Sequence, residues 1–266
     1  MSAGSKTGGE LLVECLSNLG VTTSFGVPGE SYLAVLDALY DANINFTLCR
    51  HESAAGFAAA AWGKLTGAPG IGFVTRGPGA TNASIGVHTA MQDSSPMILF
   101  IGQVGVNHKG REAFQEVDYR AFFTPLAKWA TEIDNADRIP EILSHAWHIA
   151  LSGRPGPVVI ALPEDMLTTM TNARPCQPIT IAEAGVDAAG LAQATAMLSA
   201  AKNPLILAGG GGWTSSGKQA LQRFAESQSF AVSAAFRYHD VIDNHSPVYI
   251  GDAGAVSYTH LRAHET

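Results

Sequence analysis

Cys49-Arg50-His51-Glu52 decides how this chain reads. It follows a short apolar run, Phe46-Thr47-Leu48, and opens an Ala-rich stretch, Ser53 to Leu65, whose only charge is Lys64. Glu52 therefore stands where a strand hands over to a helix. By itself such a residue is an ordinary helix N-terminal acid, favoured by the dipole. Two Gly/Pro turns change that reading: Phe25-Gly26-Val27-Pro28-Gly29-Glu30 upstream, and Thr75-Arg76-Gly77-Pro78-Gly79-Ala80-Thr81-Asn82 downstream. Glycine loops let backbone approach a flat ligand closely, and burying a carboxylate is costly. Together the three features point to an acid held in a dry pocket to manage a proton on a bound heterocycle.

Outward from Glu52, strand-length apolar runs alternate with helical patterns. Helices are expected over 9–18, 31–42, 52–65, 80–91 and 138–152. Strands are expected over 22–26, 46–49, 70–75, 97–102, 128–133 and 157–162, with an irregular stretch from Val104 to Tyr119. Continuously apolar strands such as Met97 to Gly102 need burial on both faces. The predicted fold is therefore α/β, a doubly wound parallel sheet with helices on both faces. Ligands of such sheets bind at strand carboxyl ends, where all three features fall. The stretch Pro163 to Gly190, with three prolines and little periodicity, reads as a linker. The expected domains are 1–170, a linker at 171–190, and an incomplete second α/β domain at 191–256 with two clear strands.

The chain has 266 residues, 46% hydrophobic and 15% charged, enough for a large core and too long to be assumed one domain. A net charge of −7 without a Lys/Arg cluster argues against a nucleic-acid surface. No apolar run is long enough for a membrane span, and no signal core follows Met1 to Gly9. Cys15, Cys49 and Cys176 are scattered and lack ligand spacing, which suggests a reduced, cytoplasmic protein. His145 and His148 lack a partner carboxylate at suitable spacing and are not read as a metal site. The Gly209-Gly210-Gly211-Gly212 turn matches neither dinucleotide nor P-loop spacing.

Seven motifs now stand in a telling order: Phe25-Gly26-Val27-Pro28-Gly29, Arg50-His51-Glu52, Thr75 to Asn82, Asp93-Ser94-Ser95-Pro96, Gly102-Gln103-Val104, Ala113-Phe114-Gln115-Glu116 and Gly153-Arg154-Pro155-Gly156-Pro157. In that order they resemble the thiamine diphosphate-dependent enzymes of the acetolactate synthase type, over Gly9 to Leu167 and more loosely over Leu191 to Gly254. The resemblance implies that the first domain binds the cofactor's pyrimidine. Glu52 would be the catalytic residue, hydrogen-bonded to a ring nitrogen. Val27, Pro28 and Gly29 would pack on the ring, Pro78, Thr81 and Asn82 would line it, and Phe114 and Gln115 would reach the substrate side, Gln115 also touching the cofactor. Taken alone, Val27 to Gly29 is an ordinary turn and Phe114 a buried packing anchor. The implied substrate is a pyruvate-like 2-oxo acid, decarboxylated and joined to a second carbonyl. The implied assembly is a homo-oligomer, dimer or tetramer, with the cofactor between subunits. Magnesium would be held by a third domain missing from this sequence, and FAD binds the central domain in some members only.

Two residues depart from the family pattern: Glu164, where Lys is frequent, and Glu30, where a second Gly is frequent. They keep related 2-oxo acid decarboxylases and benzaldehyde lyase-like carboligases open as alternatives. A non-catalytic binding module with the same fold is the reading from another class. Residues 257–266 match nothing in the family and read as a foreign tail, so the chain is expected to be a fragment inactive by itself.

Overall fold

A capping box starts the regular structure. Thr7 Oγ1 accepts the Glu10 N–H at 3.2 Å, and the Glu10 carboxylate accepts the Thr7 N–H at 2.6 Å. The computed structural model describes residues 4–182 and 184–253. They fall into two compact units divided between Ile181 and Ala182.

The first unit runs β1 (Lys6–Thr7), α1 (Gly8–Asn18), β2 (Thr23–Gly26), α2 (Leu33–Tyr40), β3 (Asn45–Leu48), α3 (Glu52–Thr66), β4 (Gly70–Val74) and α4 (Gly77–Asp93). It continues β5 (Met97–Gln103), α5 (Tyr119–Phe123), β6 (Trp129–Glu132), α6 (Ile139–Leu151), β7 (Pro157–Pro163), α7 (Glu164–Thr168) and β8 (Met170–Thr171). Six strands form one sheet in the order β3-β2-β4-β5-β7-β6, every pair parallel. The central strands β4, β5 and β7 are buried along their whole length, as continuously apolar strands require. The chain leaves β2 toward one edge and β4 toward the other, so the crevice between their carboxyl ends is the topological switch point.

In the first unit the structure departs from the sequence expectation in four places. Helix α4 starts at Gly77 and not Ala80, because Pro78 sits in its first turn, where a missing N–H does no harm. Helix α5 follows the stretch expected to be irregular, capped by Asp118, whose side chain accepts the Ala121 N–H at 3.0 Å. The stretch read as linker holds α7 and β8, and β8 pairs antiparallel with β1, Lys6 opposite Thr171. The first unit then continues to Ile181, where Asn18 Nδ2 donates to the Cys176 carbonyl at 3.1 Å.

In the second unit α8 (Ala188–Ala200), β9 (Leu205–Ala208), α9 (Ser215–Gln228), β10 (Ala231–Ala234) and β11 (Tyr249–Asp252) follow in order. Its three strands are parallel in the order β11-β10-β9, so a third strand joins the two expected from sequence. The residues read as a foreign tail lie outside the described residues. Among the described residues no helix is long and apolar enough to cross a membrane.

Candidate functional site at the strand carboxyl ends

His51 caps α3: its Nδ1 accepts the Ser53 N–H at 3.2 Å and shares a 2.7 Å hydrogen bond with Ser53 Oγ. Glu52 thereby enters the first position of the helix. Helix α3 packs on α4 at van der Waals contact of the backbones, since a Cβ placed on Gly86 would lie 2.4 Å from the Gly56 carbonyl carbon. Only glycines permit that approach. It brings Asn82, in the second turn of α4, to Glu52, and Asn82 Nδ2 donates to Glu52 Oε2 at 2.9 Å. Among the described residues Glu52 Oε1 accepts no hydrogen bond. Among the described residues the pocket expected to be dry is not closed, because Glu52 is half-buried while Asn82 and Thr81 are exposed.

The loop after β2 reaches the same edge. The Val27 N–H donates to the Phe73 carbonyl at 3.3 Å, and the Tyr32 hydroxyl donates to the Val27 carbonyl. Gly29 lies against Thr75, the residue that follows β4: a Cβ there would be 2.6 Å from Thr75 Cβ. Ser31 Oγ and Thr75 Oγ1 share a 3.0 Å hydrogen bond. Burial, and then the charge of Glu52, push the Tyr32 phenol above its usual value. Tyr32 thus feels the carboxylate and holds the carbonyl of Val27. The structure brings Glu52, Asn82 and the Val27–Gly29 loop to one place.

Pro78 and Thr81 occupy the start of α4, where Thr81 Oγ1 donates to the Gly77 carbonyl at 2.8 Å. The loop carrying Phe114 and Gln115 arrives through its backbone, with the Gly77 N–H donating to the Gln115 carbonyl at 2.9 Å. Gln115 adopts φ +63° and Glu112 φ +53°, left-handed values unusual for non-glycine residues. Glu116 steadies the loop by accepting the Gly110 and Ala113 N–H groups, and those bonds hold its carboxyl below the ordinary range. Gln103 Nε2 donates to the Val117 carbonyl at 2.9 Å. Phe114 is 71% exposed, so it is not a buried packing anchor.

Sequence reasoning assigned no role to Arg76. Its guanidinium is buried at the same strand ends, with Nη1 on Glu30 at 2.8 Å and Nη2 on Glu164 at 2.6 Å. Glu30 and Glu164 therefore share one cation. Sequence separations of 46 and 88 residues hid this, and only the strand order makes it legible. Among the described residues no group of three or more His, Cys, Asp or Glu side chains could hold a metal ion. His145 lies 4.7 Å from the Trp129 ring, between centroids.

Residues 6–122 match the family described as thiamine pyrophosphate enzyme, N-terminal TPP binding domain. Residues 191–264 match thiamine pyrophosphate enzyme, central domain. The chain is 33% identical over 247 residues to the acetolactate synthase isozyme 2 large subunit of Escherichia coli K12, covering 93% of this chain and 45% of that protein. It is 36% identical over 258 residues to the probable acetolactate synthase large subunit of Methanocaldococcus jannaschii, 93% of this chain and 43% of that protein. It is also 36% identical over 203 residues to the acetolactate synthase of Bacillus subtilis, 76% of this chain and 36% of that protein. The chain thus spans less than half the length of these relatives.

Proposed function

Since residues 6–122 and 191–264 place this chain in the thiamine pyrophosphate enzyme family, we propose that it supplies the pyrimidine side of a site that decarboxylates a pyruvate-like 2-oxo acid and joins the remainder to a second carbonyl. Thiamine diphosphate, when bound, supplies the electron sink that this chemistry needs. The observation that carries the reading is the Asn82–Glu52 hydrogen bond at the switch point of the sheet. Asn82 occupies Oε2 and orients the carboxylate, which leaves Oε1 to hold a ring nitrogen and to take or return its proton. Val27, Pro28 and Gly29 form the wall on which a flat ring packs, with Pro78, Thr81 and Asn82 opposite. Phe114 and Gln115 stand on the loop anchored to Gly77, on the substrate side.

A carboxylate that moves protons works best away from bulk water, and Glu52 is only half-buried here. Leu48, Phe57 and Ile85, on β3, α3 and α4, are 68%, 42% and 52% exposed. These features support a second copy covering this region in a homo-oligomer. The names of the relatives support acetolactate as the product. Glu30 and Glu164 keep acetaldehyde release in play.

The test uses the full-length polypeptide that carries this chain, supplied with pyruvate, thiamine diphosphate and magnesium. Acetolactate in the product mixture is the expected result, and acetaldehyde alone would move the reading to a decarboxylase. Glu52→Gln should lower kcat by about 10²- to 10⁴-fold, the usual worth of a positioned acid–base group, with an unchanged circular dichroism spectrum. Undiminished turnover in that variant would sink the mechanism.

A further inference from the structure

Three segments leave the carboxyl edge of the sheet beside the candidate site, after β2, β4 and β7. One side chain touches all three. Arg76 stands between β4 and α4, at the N-cap of α4, Glu30 stands in the segment after β2, and Glu164 opens α7 directly after β7. Arg76 is only 6% exposed, so it sits under the two carboxylates, which reach toward solvent at 69% and 44% side-chain exposure. The two carboxylates also wall a cleft of about 310 Å³, together with Tyr32, Leu33 and Asp165. Arg76 Nε is buried without a partner among the described residues, so the hold rests on Nη1 and Nη2. A guanidinium is a rigid planar fork and fixes the direction of both partners, which an ammonium would not.

We propose that Arg76 is a positioning residue: through Glu30 it fixes the Val27–Gly29 loop, and through Glu164 it holds the start of α7. The functional consequence, tighter binding of the pyrimidine end of the cofactor, rests on the reading above. The coupling itself does not. Glu30 directly follows Gly29, and Tyr32, two residues further on, holds the Val27 carbonyl. Freedom at Glu30 is therefore freedom in the ring-packing wall.

Hydrogen exchange on this chain reads the coupling without any cofactor. Glu30→Gln and Arg76→Met should speed exchange at the Val27, Gly29 and Tyr32 amides roughly tenfold or more, while the amides of α3 keep their protection. Glu164→Gln should leave those three amides within about twofold and loosen the amides of α7 instead. The second readout is calorimetric titration of the full-length apoenzyme with thiamine diphosphate. Glu30→Gln should weaken binding roughly five- to tenfold and Glu164→Gln less than about twofold, with similar thermal midpoints for both. Unchanged exchange at the three amides in Glu30→Gln, or a rise spread evenly through the unit, overturns the proposal. So do equal losses of cofactor affinity in the two Gln variants. If Arg76→Met does not fold, Glu30→Gln still decides. If exchange moves as expected while the unsubstituted apoenzyme takes up no thiamine diphosphate, the functional reading falls and the coupling stands.

Discussion

On one face of the six-stranded sheet Ile71, Phe73, Ile98, Phe100, Ile160 and Leu162 meet α1, α2 and α6 through large side chains. On the other face Val74, Leu99, Ile101, Val159 and Ala161 meet α3 and α4 largely through alanine and glycine. The first face buries bulk, and bulk is what stabilises, at about 25 cal/mol per Å² of apolar area. The second face buries less per residue and gains proximity. Its helices touch backbone to backbone at Gly56 and Gly86, and that contact delivers Asn82 to Glu52. Stability and the proposed chemistry thus fall on opposite faces of one sheet. The division explains why α3 is rich in alanine yet leaves Phe57 and Leu65 pointing outward.

The largest expected effect tests the bulky face. Phe100 is 1% exposed and stacks on Phe73 with ring centroids 5.0 Å apart. Phe100→Ala should lower the stability of the first unit by about 3–5 kcal/mol, read from the urea midpoint of this chain. A loss below about 1 kcal/mol would mean that this face is not the one that holds the unit together. Gly86→Val sharpens the contrast from the other side. The new side chain must push α3 away from α4, for a loss of about 1–3 kcal/mol by overpacking. Under the proposed function, its effect on turnover in the full-length polypeptide should be out of proportion to that loss, because the Asn82–Glu52 bond cannot survive the separation. Parallel, small losses of stability and turnover would show that helix proximity does not set the site.

The same contrast explains what was legible in the sequence. Bulk writes itself locally: continuous apolar strands gave the parallel sheet, and the leucine spacing of α1 gave its buried face. The loops at the strand ends also carry local signals, since Pro28-Gly29 and Gly77-Pro78-Gly79 mark turns whatever the fold. What escaped depends on distant partners. Helix α7 and strand β8 were hidden because β8 is two residues long and exists by pairing with β1. The end of β1 is readable locally, as Thr7 and Glu10 spell a capping box. Strand β11 holds Gly251 at φ +100°, and its ladder on β10 is irregular, which interrupts the apolar run that would have announced it. Arg76 escaped for the same reason as β8: its partners are neighbours only once the strand order is known.

Two buried tyrosines give the finest test, one on each face. Tyr32 belongs to the bulky cluster and its hydroxyl donates to the Val27 carbonyl. Tyr119 belongs to the small-residue cluster and its buried hydroxyl has no partner among the described residues. Removing a partnered hydroxyl strands its acceptor, whereas removing an unpartnered one relieves a desolvated group. Tyr32→Phe should therefore cost about 1 kcal/mol near neutral pH, and Tyr119→Phe should be neutral or slightly stabilising. Burial, as the leading cause, raises both phenols above the ordinary tyrosine value. A raised folded-state value contributes stability that is complete below the unfolded value, about 10, and is lost as the pH climbs beyond it. The unsubstituted chain should thus lose stability between pH 9 and 11, taken as about one unit either side of that value, and each Phe variant should lose less. Urea midpoints at both pH values check this. A cost for Tyr119→Phe equal to that of Tyr32→Phe would reveal a polar tether on the small-residue face, and the division between a face that stabilises and a face that positions would then have to be redrawn.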